Sequence, residues 1–148
     1  MLAVASSGGH WVQLLRLVPA FTDCDLVFVT VVKSYRSQVP GNRFYLVNDA
    51  RRGSKLWLIQ LAAQAIRIAW IVAKENPDVV VSTGTAPGYF AVAFGHLLGA
   101  KTIWVDSMAN IEHLSAAGSR VGWCADLWLT QWPGLARGGG PHYGGSVI

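Results

Sequence analysis

The stretch PDVVVSTGTAPGYFAVAFGHLL, residues 77–98, decides the fold class. Its first part, 78–82, is a short valine run, which is typical of a strand covered on both faces. A turn rich in glycine and threonine follows, and the apolar segment 89–98 predicts a helix. A strand that passes through such a turn into a helix is the repeating unit of a parallel α/β sheet.

The same alternation runs through the rest of the chain. The pattern predicts strands at 1–6, 25–32, 43–47, 78–82, 101–106 and 127–130, and helices at 10–18, 56–75, 89–98 and 120–125. We therefore expect an α/β fold over residues 1–133: a Rossmann-like, mostly parallel sheet with helices on both faces. The glycine-rich residues 134–148 are predicted to be a tail available for contact with a partner.

Composition excludes several classes of protein. Of 148 residues, 52% are hydrophobic and 14% charged, which excludes a disordered or collagen-like chain. Cys24 and Cys124 are isolated and the four histidines do not cluster, so we expect neither a disulfide framework nor a bound metal. The net charge of +4 is not gathered into a nucleic-acid footprint. So few charges leave apolar surface that we expect a membrane or a partner to cover.

The predicted helix at 56–75 has more apolar surface than packing on a sheet requires. Its polar residues occupy an arc of roughly 100° on a helical wheel: Gln60, Gln64, Arg67, Lys74 and Glu75. Two glutamines and an arginine interrupt it, which favours an in-plane amphipathic or partner-binding helix over a membrane span. A helix packed between the sheet and a neighbouring helix is the alternative.

A basic group precedes this helix, which suits an anionic lipid surface. The expected membrane-binding residues are Arg51, Arg52, Lys55, Trp57, Arg67 and Trp70. The N-terminus has no basic region before its apolar residues, so it is not expected to be a signal peptide. We therefore expect a peripheral protein on the cytoplasmic face of a membrane.

Three polar loops follow predicted strands and should meet at one edge of the sheet, where open parallel sheets bind ligands. Glycines and helix N-termini in such loops offer backbone N–H groups to an anion. The residues expected to bind a diphosphate or sugar hydroxyls are Ser7, Gly8, Gly9, Thr83, Gly84, Thr85, Ser107 and Asn110. The first loop is neither a Gly-x-Gly-x-x-Gly fingerprint nor a Walker loop, which disfavours a dinucleotide site.

Two side chains in these loops are candidate catalytic bases, His10 and Asp106. We favour His10, because histidine titrates near neutral pH. Asp106 is the other candidate, or it caps the turn that follows it.

The order of these motifs carries a resemblance that covers nearly the whole chain. The motifs are Ser6-Ser7-Gly8-Gly9-His10, Pro77-Asp78-Val79-Val80-Val81-Ser82-Thr83-Gly84, Val105-Asp106-Ser107-Met108-Ala109-Asn110, Leu114-Ser115-Ala116-Ala117-Gly118, Ala125-Asp126-Leu127, Thr130-Gln131-Trp132-Pro133 and His142-Tyr143-Gly144-Gly145. They resemble the acceptor-side, membrane-associated subunits of two-component GT-B glycosyltransferases. Bacterial exopolysaccharide glycosyltransferase subunits belong to this family, as does the membrane-anchoring subunit of the eukaryotic N-acetylglucosaminyl-diphosphodolichol N-acetylglucosaminyltransferase. Asn110 stands where family members usually carry arginine.

The resemblance implies the N-terminal half of a GT-B enzyme. Such a subunit binds a polyprenyl-diphosphate-linked sugar in polysaccharide or oligosaccharide biosynthesis, while a separate subunit binds the UDP-sugar. This chain is then expected to need no cofactor of its own and to be inactive alone. Its length agrees, because a GT-B cleft needs two Rossmann-like domains and 148 residues supply one.

The residues themselves leave two other functions open. One is a non-catalytic membrane scaffold that recruits an enzyme, with purely structural glycine loops. The other is a small self-sufficient nucleotide-binding enzyme, which the lack of an acidic residue about 20 positions beyond the first turn disfavours.

Overall fold

A computed structural model describes residues 1–50 and 53–147, which form a seven-stranded, fully parallel sheet. The strands are β1 (Leu2–Val4), β2 (Val27–Thr30), β3 (Arg43–Leu46), β4 (Val79–Ser82), β5 (Lys101–Val105), β6 (Leu127–Thr130) and β7 (His142–Tyr143). Their order is β3-β2-β1-β4-β5-β6-β7. Leu2 pairs with Val27 on one side and Val80 on the other, so β1 is an interior strand next to the central strand β4.

Helices cover both faces of the sheet. They are α1 (Gly9–Leu17), α2 (Trp57–Glu75) and α3 (Thr85–Leu97), with 3₁₀ segments at Val18–Phe21, Lys33–Gln38, Gly118–Trp123 and Pro133–Leu135. On one face, Trp11 and Leu14 of α1 pack with Phe28. On the other, Ile71 of α2 and Val92 of α3 pack in the second part of the core. The predicted Rossmann-like architecture is confirmed.

Two boundaries differ from the sequence prediction for local reasons. The third helix begins at Thr85 rather than at 89, because Pro87 fits the first turn of a helix, where its missing N–H is not needed. The segment predicted as an α-helix at 120–125 is the 3₁₀ segment Gly118–Trp123.

The predicted C-terminal tail is part of the sheet. β7 pairs with β6, with Leu129 opposite His142, although β7 has only two residues. Beyond it, the N–H of Val147 donates to Gln131 Oε1 at 3.0 Å. The folded unit therefore extends past residue 133, and contact of this segment with a partner stays a prediction.

Helix α2 is apolar towards the core and towards the outside. Ile68 and Ile71 are buried, whereas Ile59 and Ile66 are 67% and 71% exposed. By length and composition it could cross a membrane, with 19 residues and a mean hydropathy of 1.2. Only 22% of its apolar stretch is buried. It is thus not enclosed between the sheet and its neighbour α3, with which it packs side by side.

Candidate active site

A cleft opens at the carboxyl edge of the sheet, beside the central strand. The chain leaves β1 for one face and β4 for the other, and adjacent strands whose connections diverge in this way leave a crevice between their loops. The cleft has a volume of about 670 Å³. All three predicted loops contribute to its polar lining, with Ser6, Ser7, His10, Thr85, Ser107 and Asn110. Further polar residues that line it are Asp49, Gln64, Ser115 and Arg120.

His10 is fixed by a reciprocal pair of hydrogen bonds to Thr83. Its Nδ1 lies 2.8 Å from the Thr83 carbonyl oxygen, and Thr83 Oγ1 donates to the His10 carbonyl oxygen at 2.7 Å. Because a carbonyl oxygen only accepts, Nδ1 carries the proton, and the neutral ring has its lone pair on Nε2. His10 lines the cleft, so Nε2 is the ring atom available to accept a proton from a ligand.

The position of the His10 ring requires a glycine at residue 84. A Cβ on residue 84 would lie 2.8 Å from both Nδ1 and Cε1 of His10, and the residue has a φ of 127°, which side-chain-bearing residues rarely adopt. The glycine of the second loop therefore allows the imidazole to lie against the backbone.

The N-termini of α1 and α3 supply backbone donors at the cleft. No side chain caps either helix, and the first-turn N–H groups of a helix have no intrahelical acceptor and carry a partial positive charge. Gly8 is an exception among the predicted donors, because its N–H donates to the Tyr35 hydroxyl at 3.0 Å. Thr85 has a φ of 68°, a strained conformation for a β-branched residue. Such strain is characteristic of ligand-binding positions.

Both carboxylate oxygens of Asp106 accept hydrogen bonds within the loop that follows β5. It is 1% exposed, and its carboxylate accepts from the Ser115 N–H at 2.9 Å and from Ser115 Oγ at 2.6 Å. A Cβ on Gly118 would lie 2.7 Å from Asp106 Oδ1. This geometry favours the capping alternative for Asp106 and leaves His10 as the candidate base that faces the cleft.

A buried amide pair, Gln13 and Gln131, supports the Ser107 loop. Gln131 Nε2 donates to Gln13 Oε1 at 2.6 Å and to the Asp106 carbonyl oxygen at 2.8 Å. Gln13 Oε1 also accepts from the Met108 N–H at 3.3 Å. Neither glutamine was predicted from the sequence as a site residue, although a glutamine between Trp11 and Leu14 on the apolar stripe of α1 was a usable signal.

Arg120 is a third residue of the site that was not predicted from the sequence. It lines the cleft with Asn110, and its Nη1 donates to the Ala116 carbonyl oxygen at 2.9 Å. It brings a permanent positive charge to the side of the cleft that Asn110 lines.

The predicted membrane-binding residues divide into three groups. On the outer side of α2, Arg67 lies over the Trp70 ring at 4.5 Å. Trp57 is half-buried and lines the cleft, and Lys55 is exposed just before the helix. Arg51 and Arg52 lie outside the described residues.

The parallel sheet and the cleft at its carboxyl edge have the architecture of one half of a GT-B fold, and comparisons with known proteins agree. No protein-family model matches the sequence. The chain is 26% identical to the UDP-N-acetylglucosamine transferase subunit alg14 of Schizosaccharomyces pombe over 162 residues, covering 92% of this chain and 77% of that protein. It is 25% identical to ALG14 of Yarrowia lipolytica over 162 residues, covering 93% of this chain and 75% of that protein.

The solved structure of Acinetobacter baumannii MurG is similar with a TM-score of 0.79 at 11% identity. The match covers 99% of this chain and 45% of MurG, so the chain spans less than half of that protein. The predicted half of a GT-B fold and the predicted resemblance to a glycosyltransferase subunit are both confirmed.

The Arg120→Gln variant should bind inorganic diphosphate about tenfold more weakly, because a charge-assisted hydrogen bond contributes about 1.5–3 kcal/mol. Isothermal titration calorimetry of the full chain measures this affinity. Arg36→Gln is the matched control, since Arg36 lies in the Lys33–Gln38 segment, away from the cleft lining. An equal loss in both variants would show only the effect of net charge and would contradict a specific role for Arg120.

Proposed function

We propose that this chain is the acceptor-binding and membrane-recruiting subunit of a UDP-sugar-dependent glycosyltransferase that acts on a polyprenyl-diphosphate-linked sugar. The observation that carries the proposal is the cleft at β1 and β4, where an oriented histidine lies between two uncapped helix N-termini. The similarity to UDP-N-acetylglucosamine transferase subunits over more than nine tenths of the chain supports it.

The acceptor diphosphate binds at the polar part of the cleft. First-turn N–H groups of α1 and α3 donate to its oxygens, and Arg120 neutralises charge. This arrangement directs the sugar of the acceptor towards His10. Among the described residues, no group of three or more His, Cys, Asp or Glu side chains could hold a metal ion, and we assign none to this subunit.

His10 acts as the general base in glycosyl transfer. The acceptor hydroxyl attacks the anomeric carbon of the donor, a new C–O bond forms, and the bond from that carbon to UDP breaks. The proton of the hydroxyl moves to Nε2 of His10, while the negative charge leaves with UDP. The bond from Nδ1 to the Thr83 carbonyl oxygen keeps the ring oriented and stabilises the imidazolium that results.

The other wall of the cleft comes from a separate sugar-nucleotide-binding subunit. The described sheet is one Rossmann-like domain and forms a single wall of such a cleft. The relatives are named as subunits, which agrees with a heteromeric enzyme. Transfer therefore needs both proteins.

The outer side of α2 brings this subunit to the cytoplasmic face of a membrane as a peripheral protein. Ile59 and Ile66 form its exposed apolar surface, and Trp70 lies beside two cations: Arg67 at 4.5 Å and Lys74 at 4.9 Å from the ring. An apolar helix face bordered by cations is typical of helices that lie in the plane of an anionic lipid surface.

The His10→Asn variant tests the catalytic role. The Asn side chain can still donate to the Thr83 carbonyl oxygen, but it has no atom at the position of Nε2. In the complex with the UDP-sugar-binding partner, kcat should fall at least 100-fold while the KM for the lipid-linked acceptor changes little, since general base catalysis contributes about 10²–10⁴-fold. Transfer of radiolabelled sugar, with UDP-N-acetylglucosamine as the first donor tried, measures both constants.

Val12→Ala is the control for this experiment, because Val12 is on the same helix but exposed. Near-normal turnover by His10→Asn would remove His10 from the chemistry and favour the non-catalytic scaffold.

The double variant Ile59→Ser, Ile66→Ser tests membrane recruitment. Both side chains are largely exposed, so the fold should persist, while binding to vesicles with anionic lipid should weaken more than tenfold through lost apolar burial. Co-sedimentation measures the bound fraction. Leu97→Ser, Leu98→Ser at the end of α3 is an equally exposed control.

Exchange of Arg51, Arg52 and Lys55 for Gln should weaken binding to anionic vesicles and leave binding to neutral ones unchanged.

If the Ile59→Ser, Ile66→Ser variant sediments with vesicles to the same extent as the protein without substitutions, the outer side of α2 does not bind lipid.

A further inference from the structure

The cleft has two halves of different chemistry, and the proposed function uses only one of them. The polar half contains His10 and the loop residues around it. The other half lies between the first turns of α2 and α3. It is mainly apolar, although Asp49 and Gln64 also line the cleft next to α2, and its apolar residues are Trp57, Leu61, Ala86, Pro87, Tyr89 and Phe90. Most of these side chains are half-buried, so part of each surface is open to the cleft. The apolar half has no role in holding a diphosphate or in moving a proton.

We propose that this apolar half, named here the tail subsite, binds the isoprene units that directly follow the diphosphate of the acceptor. The inference rests on the proposed function and specifies its substrate further: the subunit recognises the lipid as well as the diphosphate and sugar. The occupant is a linear isoprenoid chain rather than a sugar ring or a side chain of the partner.

The position of the tail subsite along α3 supports this assignment. The diphosphate is expected at the helix N-terminus, where Thr85 begins the helix. Pro87 and Phe90 follow at roughly 3 Å and 7.5 Å along the helix axis, since the rise is about 1.5 Å per residue. In a polyprenyl diphosphate the hydrocarbon chain begins at the atom bonded to the phosphate oxygen. A diphosphate at the helix N-terminus therefore places the first isoprene units beside these two residues.

The aromatic wall of the tail subsite is held open by its own contacts. Tyr89 accepts a hydrogen bond from Trp123 Nε1 at 3.3 Å, which draws it towards the 3₁₀ segment Gly118–Trp123. The Phe90 ring meets Tyr89 edge to face at 6.0 Å and stacks on Phe94 at 6.3 Å. A preformed apolar wall of this kind binds a hydrocarbon chain without first having to be ordered.

The tail subsite also lies next to the surface expected to meet the membrane. Trp57 and Leu61 face the cleft, whereas Leu58 and Ile59, on the same turns of α2, are exposed on the outer side. An isoprenoid chain that passes over the first turn of α2 goes from the apolar half of the cleft to the apolar outer side of the helix. The rest of the lipid therefore stays in the bilayer while its first units lie in the cleft.

The test compares two probes on the full chain, inorganic diphosphate and farnesyl diphosphate, by isothermal titration calorimetry below the aggregation concentration of the lipid. We expect farnesyl diphosphate to bind at least tenfold more tightly, because burial of each CH₂ group contributes about 0.8 kcal/mol. Leu61→Gln should remove most of that difference and change the affinity for inorganic diphosphate less than twofold. Ala73→Gln, exposed near the other end of α2, should leave both affinities unchanged.

A photoreactive farnesyl diphosphate analogue provides a second measurement on the unchanged protein, independent of how well the variant folds. Crosslinks at 57–61 or 86–90 support the tail subsite, whereas crosslinks confined to 107–117 or to the outer side of α2 contradict it. Equal affinity for the two probes, or an equal loss of both in a folded Leu61→Gln variant, also overturns the tail subsite. Failure to bind either probe would instead count against the acceptor site of the proposed function.

Discussion

The paired hydrogen bonds between His10 and Thr83 are the interaction on which the site depends. They join the turns after β1 and β4, adjacent strands from which the chain departs to opposite faces of the sheet. The bonds hold together the two loops that border the cleft. They also select the tautomer of the imidazole, and the absence of a Cβ at Gly84 gives the ring its space. His10, the proposed base, and the helix N-termini proposed to bind the diphosphate are therefore joined at one point.

Helix α2 carries apolar residues on its exposed side as well as its buried side, which contributes to the low content of charged residues. It packs Ile68 and Ile71 into the core and exposes Ile59 and Ile66. An exposed apolar surface of this kind is unusual for an isolated globular domain, whereas a subunit that contacts a membrane or a partner would cover it. The low charge content and the similarity to proteins named as enzyme subunits agree with the proposed assembly.

Local sequence patterns predict the sheet well and the supporting contacts poorly. The valine run of β4 and the glycine turns around His10 and Gly84 are recognisable from a few consecutive residues, so strands, loops and the cleft could be predicted. β7 could not, because two residues among glycines have no periodicity. The role of Gln13 depends on residues far away in the chain, and that of Arg120 depends on the shape of a 3₁₀ turn. The role of Asp106 became clear only from its hydrogen bonds to Ser115.

The protonation pattern of the His10 imidazole tests the central claim most directly. Long-range ¹H–¹⁵N correlation spectra of the full chain, recorded where the ring is neutral and assigned with a His10→Asn variant, distinguish the two ring nitrogens. We expect a protonated Nδ1, which donates to the Thr83 carbonyl oxygen, and an unprotonated Nε2. A ring protonated at Nε2 would contradict it, because the atom meant to accept the proton would already carry one.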